Sequence, residues 1–283
     1  MALSGSESKE CALLSTTLKQ RLQPIIKAER LGLITDIDGT ISRIAPTPDG
    51  ATVDPLCRAA LSQLTEHLPL VAAVSGRAAR DVQRMLQLPA MRYIGNHGLE
   101  IWGQDGGVLV PAAQPYSAAV REFVAAMQRY ELPEGVVLES KGITATLHYR
   151  LATDQTAAEL WLRKVLSELA AAHNLIITEG LMIFEVRPPV DWHKGSAVAW
   201  LIEDHKLEAA IFLGDDLTDV DGFRSIAAAR ERGCQALAIG VINPESHPSV
   251  AETADILING VDASAEVLQW ILAQRLSDSH GVD

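Results

Sequence analysis

Two aspartates, Asp36 and Asp38, stand two residues apart where the segment LGLITDIDGTIS leaves an apolar run. Carboxylates this close repel each other unless a cation or a proton lies between them. A single aspartate after a strand is often only a turn residue or a helix cap. A pair followed by a glycine and a hydroxyl is less easily explained in that way. The segment therefore predicts a site that binds positive charge.

A second group of acids occurs in the segment GDDLTDVDGF, which contains Asp215, Asp216, Asp219 and Asp221. Extra acids are favoured near the positive end of a helix, so a capped helix is one interpretation. Four acids within seven residues exceed what capping requires. The alternative interpretation is a metal site, because a metal ion would relieve their mutual repulsion.

Two further positions indicate chemistry less strongly. Ser75, Gly76 and Arg77 form an SGR turn after an apolar run, and such a turn into a helix is common. Lys194 lies where a helix should begin in VDWHKGSAVAW, and a cation is disfavoured there by the helix dipole. That local cost indicates a functional use, with an exposed surface lysine as the alternative.

Short apolar runs alternate with helical patterns along the chain, which is typical of βαβ units and a parallel sheet. The predicted strands, apolar without alternation and so buried on both faces, are 31–35, 70–75, 93–95, 210–214, 236–240 and 255–258. The predicted helices are 54–67, 77–88, 194–206, 218–230 and 262–276. Ligands of such sheets bind outside the carboxyl ends of the strands, so the polar residues above are expected to meet at one edge.

Residues 104–187, hereafter the insertion, have a different texture from the rest of the chain. Strand-like segments and two long helices, at about 115–130 and 153–173, predict an α+β unit of order βαββαβ. The fold class is thus a doubly wound, Rossmann-like α/β core with an inserted α+β domain. The predicted division is a 1–29 extension with a helix interrupted at Pro24, a core of 30–103 and 188–276, the insertion, and a 277–283 tail.

Composition limits the partners and the compartment. The chain has 283 residues, and 36 acids against 24 basic residues give a net charge of −12, which disfavours nucleic acid and anionic membranes. The three cysteines, Cys11, Cys57 and Cys234, lack metal spacing and fit a reducing compartment. We find no signal peptide and no apolar run near the roughly 20 residues that span a bilayer. These features predict a cytoplasmic protein with a small-molecule partner, and a monomer is favoured.

The combined motifs resemble the haloacid dehalogenase superfamily of phosphohydrolases, whose four motifs occur here in the expected order. DIDGT at 36–40 matches the first motif, Ser75 the second, Lys194 the third and GDDLTD at 214–219 the fourth. No single motif is specific, but the combination is. The resemblance extends over nearly all of residues 30–260.

Longer segments are similar to one family within that superfamily, the trehalose-6-phosphate phosphatases. They are YIGNHGLEIW, LESKGITATLHYR, FEVRPPVDWHKGSAV and LGDDLTDVDGF. The departures are small, since that family often has an alanine where Asn96 stands and an acid where Val220 stands. The resemblance implies Mg²⁺-dependent hydrolysis of trehalose 6-phosphate to trehalose and phosphate through an aspartyl-phosphate intermediate.

The resemblance also assigns roles to the acids. Asp36 would be the nucleophile, and Asp38 the general acid and then the general base. An extended segment would point both carboxylates at one phosphate. Mg²⁺ would be held by the Asp36 carboxylate, the Asp38 backbone carbonyl and Asp215. Asp216 and Asp219 would bind or orient the coordinating waters.

The remaining phosphate contacts come from the SGR turn and the lysine. Lys194 would neutralise charge on Asp36 and on the phosphoryl oxygens, and Ser75 would donate a hydrogen bond to one of them. Gly76 and Arg77 complete the predicted substrate-binding turn.

The resemblance makes the insertion a cap that closes over the phosphate and recognises the sugar. Glu139 and Lys141 would contact sugar hydroxyls, and Glu185 is a further candidate. The alternative for these charges is a cross-strand ion pair on the surface. His97 and His148 are predicted to be structural histidines.

Three other functions stay open. The first is a phosphatase for another sugar phosphate, such as sucrose phosphate or mannosyl-3-phosphoglycerate. The second is a phospho-accepting signalling domain, but such domains are less than half this length and lack the acid two residues on. The third is a sugar-phosphate sensor that has this fold but no activity.

Overall fold

The computed structural model describes residues 14–45, 50–103, 106–244 and 246–279. Its helices are α1 (Thr16–Ile26), α2 (Pro55–His67), α3 (Ala79–Leu86), α4 (Ser117–Met127), α5 (Gln155–Ala172), α6 (Lys194–Asp204), α7 (Val220–Glu231), α8 (Pro248–Thr253) and α9 (Gly260–Ser279). Its strands are β1 (Leu31–Thr35), β2 (Leu70–Val74), β3 (Arg92–Gly95), β4 (Glu100–Gly103), β5 (Gly106–Leu109), β6 (Val137–Ser140), β7 (Ala145–His148), β8 (Ile176–Gly180), β9 (Ile183–Arg187), β10 (Ala209–Gly214), β11 (Gln235–Ile242) and β12 (Ile256–Asn259).

The apolar runs form one large sheet, as predicted. Its strand order is β12-β11-β10-β1-β2-β3-β4-β5, with β12 to β3 parallel and the β4–β5 hairpin antiparallel. Strands β1, β2 and β10 are buried at every position, because helices cover both faces. The doubly wound α/β fold class is confirmed.

Two apolar clusters separate the helices onto the two faces of this sheet. One cluster receives side chains of α1, α2, α3 and α9, and the other receives α6, α7 and α8. Helix α1 runs through Pro24 to Ile26 instead of breaking there, since Ile25 and Ile26 are both buried in the first cluster. The extension is thus part of the core packing from Thr16 onward, and its first 13 residues lie outside the described residues.

The insertion contains a separate antiparallel sheet with strand order β6-β7-β9-β8. Helices α4 and α5 pack on it around a third apolar cluster. Between residues 104 and 187 the order is βαββαββ, beginning with β5, so the predicted order βαββαβ lacks one strand. The β4–β5 hairpin extends the large sheet instead of opening the insertion, and β8 was not expected because it is mostly exposed. The boundaries at 104 and 187 stay a prediction.

Candidate active site

A cavity of about 570 Å³ opens where the carboxyl ends of the parallel strands face the insertion. Asp36, Ser75 and Asp215 directly follow β1, β2 and β10, as the rule for parallel sheets predicts. The insertion completes the cavity from the other side. Among the residues that line it are Asp36, Asp38, Ser75, Arg77, Lys194 and Asp216 from the core, and Glu139, Lys141 and His148 from the insertion.

A buried acidic cluster lies at this edge of the sheet. Carboxylate oxygens of Asp36, Asp215 and Asp219 all lie within 4.8 Å of one another. Their exposed fractions are 4%, 4% and 0%, so water screens the three charges little. Charges of one sign this close require counter-charge from elsewhere.

Part of that counter-charge comes from Lys194, the first residue of α6. Its Nζ donates to Asp36 Oδ1 at 2.9 Å and to Asp219 Oδ1 at 2.7 Å. Burial would lower the pKa of Lys194, but the two carboxylates raise it above its ordinary value, so the lysine is charged. The lysine is only 3% exposed, which excludes the alternative of an exposed surface lysine.

Asp219, which was predicted to bind or orient waters, has both carboxylate oxygens in hydrogen bonds within the protein. Its Oδ2 accepts from the backbone N–H groups of Asp215 and Asp216, each at 3.1 Å, while Oδ1 accepts from Lys194. Oδ2 therefore closes the turn after β10, and Oδ1 fixes the lysine. Asp216 is exposed, caps that turn by accepting from Leu217 N at 2.6 Å, and lines the cavity.

Asp215 carries two hydrogen bonds that fix its carboxylate. Thr40 Oγ1 donates to its Oδ1 at 2.9 Å, and Asn243 Nδ2 donates to its Oδ2 at 2.8 Å. Burial and the nearby charge of Asp219 raise the pKa of Asp215 to about 7. Burial likewise raises the pKa of Asp36 well above its ordinary value, against the opposing charge of Lys194.

These raised pKa values provide the test of a metal at this site. Three acids share one lysine, and burial together with like charges disfavours ionisation of Asp36 and Asp215. A divalent cation bound between them would lower both pKa values. Carboxylate oxygens are the ligands that Mg²⁺ prefers, so the donor set fits that ion.

Asp38 makes a contact that the sequence did not predict. Strand β1 ends at Thr35, but Asp36 N still donates to Leu213 O at 2.9 Å, and Asp38 forms an isolated bridge with Ser42. The Asp38 carboxylate accepts from Arg77 in a bidentate pair, with Nε to Oδ2 at 2.6 Å and Nη2 to Oδ1 at 2.8 Å. This pair raises the pKa of Arg77, although burial opposes the rise. Both aspartates nevertheless line the same cavity.

The SGR turn presents a hydroxyl and a backbone carbonyl to the cavity. Ser75 is 2% exposed, and its Oγ accepts from the N–H of Arg77 at 3.3 Å. The Gly76 carbonyl accepts from Lys141 Nζ at 3.1 Å. A Cβ on Gly76 would lie 2.5 Å from the His97 ring, so a larger residue there would have to displace that ring.

The sugar-side candidates form two clusters on one face of the smaller sheet. Thr146 pairs with both Glu139 and Glu185 across β6, β7 and β9, which places the two glutamates on the same face. Glu139 Oε2 lies 2.7 Å from His148 Nε2. Burial would raise the pKa of Glu139, but the hydrogen bond from His148 and the charge of Lys141 lower it overall.

Glu185 is buried and does not belong to a surface ion pair. Its side chain lies 3.3 Å from His97 Nε2 and 3.7 Å from Lys141 Nζ. Burial would raise the pKa of Glu185, but the charges of His97 and Lys141 outweigh it and lower the pKa to about 2. The structure therefore groups Glu185 with Lys141 at the junction between insertion and core.

Sequence reasoning missed several residues that hold the site together. Asn243 directly follows β11, so the rule that located Asp215 would have located it as well. Thr40 lies inside DIDGT, but nothing in the sequence indicated its bond to Asp215. His97 and His148 were expected to be structural, whereas both line the cavity and each contacts a glutamate of the insertion.

Comparison with known sequences supports a family assignment. The family model described as trehalose-phosphatase matches residues 34–254. A trehalose-phosphate phosphatase of Mycobacterium marinum is 35% identical over 257 residues, covering 88% of this chain and 63% of that protein. One of Mycobacterium tuberculosis is 35% identical over 203 residues, covering 69% of this chain and 51% of that protein. The chain thus spans less than two thirds of the length of these relatives.

Solved structures share the fold. A trehalose-6-phosphate phosphatase related protein superposes with a TM-score of 0.72 at 23% identity, over 87% of this chain and all of that one. The C-terminal domain of the Candida albicans trehalose-6-phosphate phosphatase gives 0.70 at 20% identity, over 93% of this chain and 98% of that one. With the family model matching most of its length, the chain belongs to the trehalose-phosphatase family.

Proposed function

We propose that this chain hydrolyses trehalose 6-phosphate to trehalose and phosphate in a Mg²⁺-dependent reaction. The observation that carries the proposal is the buried Asp36–Lys194–Asp219 array, with its salt bridges of 2.9 and 2.7 Å, beside a cavity that also exposes Glu139 and Lys141. The proposed substrate is taken from the names of the mycobacterial relatives. The cavity supplies the groups that such a substrate needs.

In this proposal Asp36 is the nucleophile. Its carboxylate oxygen forms a bond to phosphorus while the bond from phosphorus to the sugar oxygen breaks. Lys194 lies 2.9 Å from Asp36 and neutralises negative charge as the phosphoryl group arrives. The Ser75 hydroxyl and the Arg77 guanidinium line the same cavity and donate to phosphoryl oxygens. Water then hydrolyses the aspartyl-phosphate.

Asp38 is the general acid for the leaving sugar oxygen and the general base for the incoming water. Its carboxylate is paired with Arg77 here, at 2.6 and 2.8 Å. An incoming phosphate dianion competes for the same guanidinium, since Arg binds phosphate oxygens in bidentate fashion. Substrate binding therefore releases Asp38 to approach the leaving oxygen.

The residues proposed to hold Mg²⁺ are Asp36, Asp215 and the Asp38 backbone carbonyl, with Asp216 and Asp219 beside the bound waters. Bound there, the ion supplies the positive charge that permits a carboxylate to approach a phosphate monoester. The raised pKa values of Asp36 and Asp215 support a cation among them. Thr40 and Asn243 fix the orientation of Asp215 for this role.

The insertion is proposed to act as the cap that binds the sugar. Glu139 and Lys141 line the cavity, and Glu185 lies 3.7 Å from Lys141 Nζ. Charged side chains of both signs suit a ligand that carries many hydroxyl groups, because each hydroxyl both donates and accepts.

The proposal includes the predicted reducing, cytoplasmic location, since Cys57 and Cys234 are free thiols.

A phosphate-release assay tests this function. Trehalose 6-phosphate, sucrose 6-phosphate and mannosyl-3-phosphoglycerate are each supplied with Mg²⁺ or with EDTA. We expect release from trehalose 6-phosphate at least tenfold above the others, and loss of release with EDTA. Preference for another substrate would replace the assignment, and absence of release from all three would favour a sensor.

Asp36→Asn and Asp38→Asn separate the two steps. The first variant keeps an oxygen acceptor for Lys194 but lacks the nucleophilic charge, so turnover should vanish while the melting temperature is retained. The second should lose most turnover and accumulate phosphorylated Asp36. Acid-quenched protein should then show a mass increase of about 80 daltons, which corresponds to one added HPO₃ group. Asp204→Asn, on the exposed end of α6, is the matched control.

A further inference from the structure

Two consecutive residues after β3, Asn96 and His97, adopt left-handed backbone conformations with φ of 50° and 55°. Residues other than glycine seldom adopt this conformation, and strain of this kind concentrates at functional sites. Asn96 is completely buried, although it carries a polar amide. Burying an amide is unfavourable unless its hydrogen bonds are made, so its partners explain its presence.

The Asn96 side chain connects the core to the insertion. Its Nδ2 donates to Glu100 Oε2 of the core at 2.9 Å and to the Lys141 backbone carbonyl at 3.1 Å. Its Oδ1 accepts from Thr144 Oγ1 of the insertion at 2.8 Å. Both amide protons and the amide oxygen are therefore used, and two of the three bonds reach the turn that carries Lys141.

The same network continues to the phosphate side of the cavity. Glu100 Oε2 also accepts from Ala79 N at 2.9 Å, at the start of α3, just after the SGR turn. Lys141 Nζ in turn donates to Gly76 O of the SGR turn at 3.1 Å. Two contacts thus hold the Lys141 turn against the SGR turn. Asn96 binds the backbone carbonyl of Lys141, and the Lys141 side chain binds the backbone carbonyl of Gly76.

We infer that Asn96 is a positioning residue that fixes the position of Lys141 relative to the SGR turn. The inference rests on the proposed function, because Lys141 is taken there as a sugar contact. Asn96 is completely buried and is not among the residues that line the cavity, so it acts through the Lys141 turn. Its loss should weaken binding of substrates that reach the insertion more than it weakens hydrolysis of substrates that do not.

The test compares Asn96→Ala with Asn174→Ala. Asn174 also has a left-handed φ, of 53°, but is exposed, so its replacement controls for backbone strain. For Asn96→Ala we expect kcat/KM on trehalose 6-phosphate to fall roughly 10- to 100-fold, as for loss of the two hydrogen bonds to the Lys141 turn, with most of the change in KM. The fall on a small aryl phosphate should be at least tenfold smaller. Equal losses on both substrates, or an equal loss in Asn174→Ala, would overturn the inference.

A double variant tests whether Asn96 acts through Lys141. In a Lys141→Ala background, Asn96→Ala should cause less than a threefold further loss of kcat/KM on trehalose 6-phosphate, because the group that it positions is absent. Full additivity of the two losses would contradict the proposed route. Thr144→Val provides the same comparison from the insertion side if Asn96→Ala fails to fold, since it removes one of the bonds with little change in shape.

Hydrogen exchange tests the positioning without any substrate. The amide of Ile143 donates to Lys141 O at 3.1 Å, and that of Lys141 donates to Thr144 O at 2.9 Å. Both amides should exchange at least tenfold faster in Asn96→Ala, while those of β9 keep their wild-type rates. Unchanged exchange at Ile143 and Lys141 in Asn96→Ala would overturn the inference even if the activity of the variant falls. Faster exchange in the variant, combined with no phosphate release by the wild type, would support the positioning role and reject the proposed function instead.

Discussion

At the scale of single residues, the site depends on charges that are buried together with specific partners. Three buried acids and one buried lysine leave a negative excess at the carboxyl ends of β1 and β10. Removing Lys194, the buried lysine of this cluster, would leave these acids without their counter-charge, and breaking a buried ion pair in this way destabilises proteins by about 3–5 kcal/mol. Positions that shape this cluster therefore tolerate little change, even where they carry no charge themselves.

Gly39 gives a residue-scale prediction. It has a φ of +80°, and a Cβ there would lie 1.9 Å from Asp215 Oδ2. Gly39→Ala should therefore displace the Asp215 carboxylate and lower phosphate release at least 100-fold, an estimate of about 3 kcal/mol in the barrier. Gly233→Ala is the matched control, with a φ of +92° and open space around it. It should lose about 1–2 kcal/mol of stability and keep its activity.

Glu185 gives a pH prediction. Its folded-state pKa of about 2 lies below its ordinary value of 4.5, so folding favours the charged form. The resulting stabilisation, of about 3 kcal/mol at most, is present above pH 4.5 and is lost as the pH falls toward 2. Urea unfolding between pH 5 and 3 should show a smaller acid-induced loss of stability in Glu185→Gln than in wild type. Glu203→Gln, an exposed glutamate on α6, should follow wild type.

At the scale of elements, apolar runs predicted the parallel strands because burial on both faces leaves a clear sequence pattern. The exposed strand β8 has no such pattern, and its formation depends on pairing with β9. The placement of the β4–β5 hairpin was equally hidden, since only its pairing with β3 assigns it to the large sheet. Local sequence does not encode which sheet a hairpin joins.

The candidate site divides in the same way. Asp36, Ser75 and Asp215 could be predicted because each directly follows a buried strand. The contacts of Asp38 with Arg77, and of Glu185 with His97, could not, because they join segments that are far apart in the sequence. Residue type and strand position indicated the chemistry. Only the tertiary fold determines which charged side chains contact each other.

Helix α6 gives an element-scale prediction. His193 caps it, with Nδ1 accepting from Gly195 N at 3.1 Å and from Ser196 N at 3.4 Å, and Lys194 is the first helical residue. His193→Ala should lower stability by about 1 kcal/mol and shift Lys194, which reduces phosphate release. His193→Asn should restore both, because asparagine is a good cap.

The control for this prediction is His247, which caps α8 in the same way by accepting from Ser249 N at 3.2 Å. His247→Ala should show a similar loss of melting temperature, about 2–4 °C, without loss of activity. An equal loss of activity in both variants would show that lowered stability, and not the position of Lys194, is responsible.

At the scale of the whole molecule, both core and insertion line the cavity, so under the proposed function substrate selection can change separately from chemistry. Lys141→Ala should lower kcat/KM on trehalose 6-phosphate by roughly 10- to 1000-fold, the range for one or two charge-assisted hydrogen bonds. Hydrolysis of a small aryl phosphate should fall far less, since it does not reach the insertion. Lys164→Ala, exposed on α5, is the control. Equal losses on both substrates would show that Lys141 supports the core and does not recognise the sugar.

The central position of β1 in the large sheet also has a consequence for biosynthesis. Strand β1 pairs with β10, and the bond from Thr40 to Asp215 joins residues 175 positions apart. A growing chain therefore displays Asp36 long before Lys194 and Asp215 have been translated. Contacts this distant in sequence form late, because a long loop must close before they stabilise the fold. Nascent chains on the ribosome should consequently lack the proposed phosphatase activity until β10 has emerged and paired with β1, so the onset of activity would report that pairing.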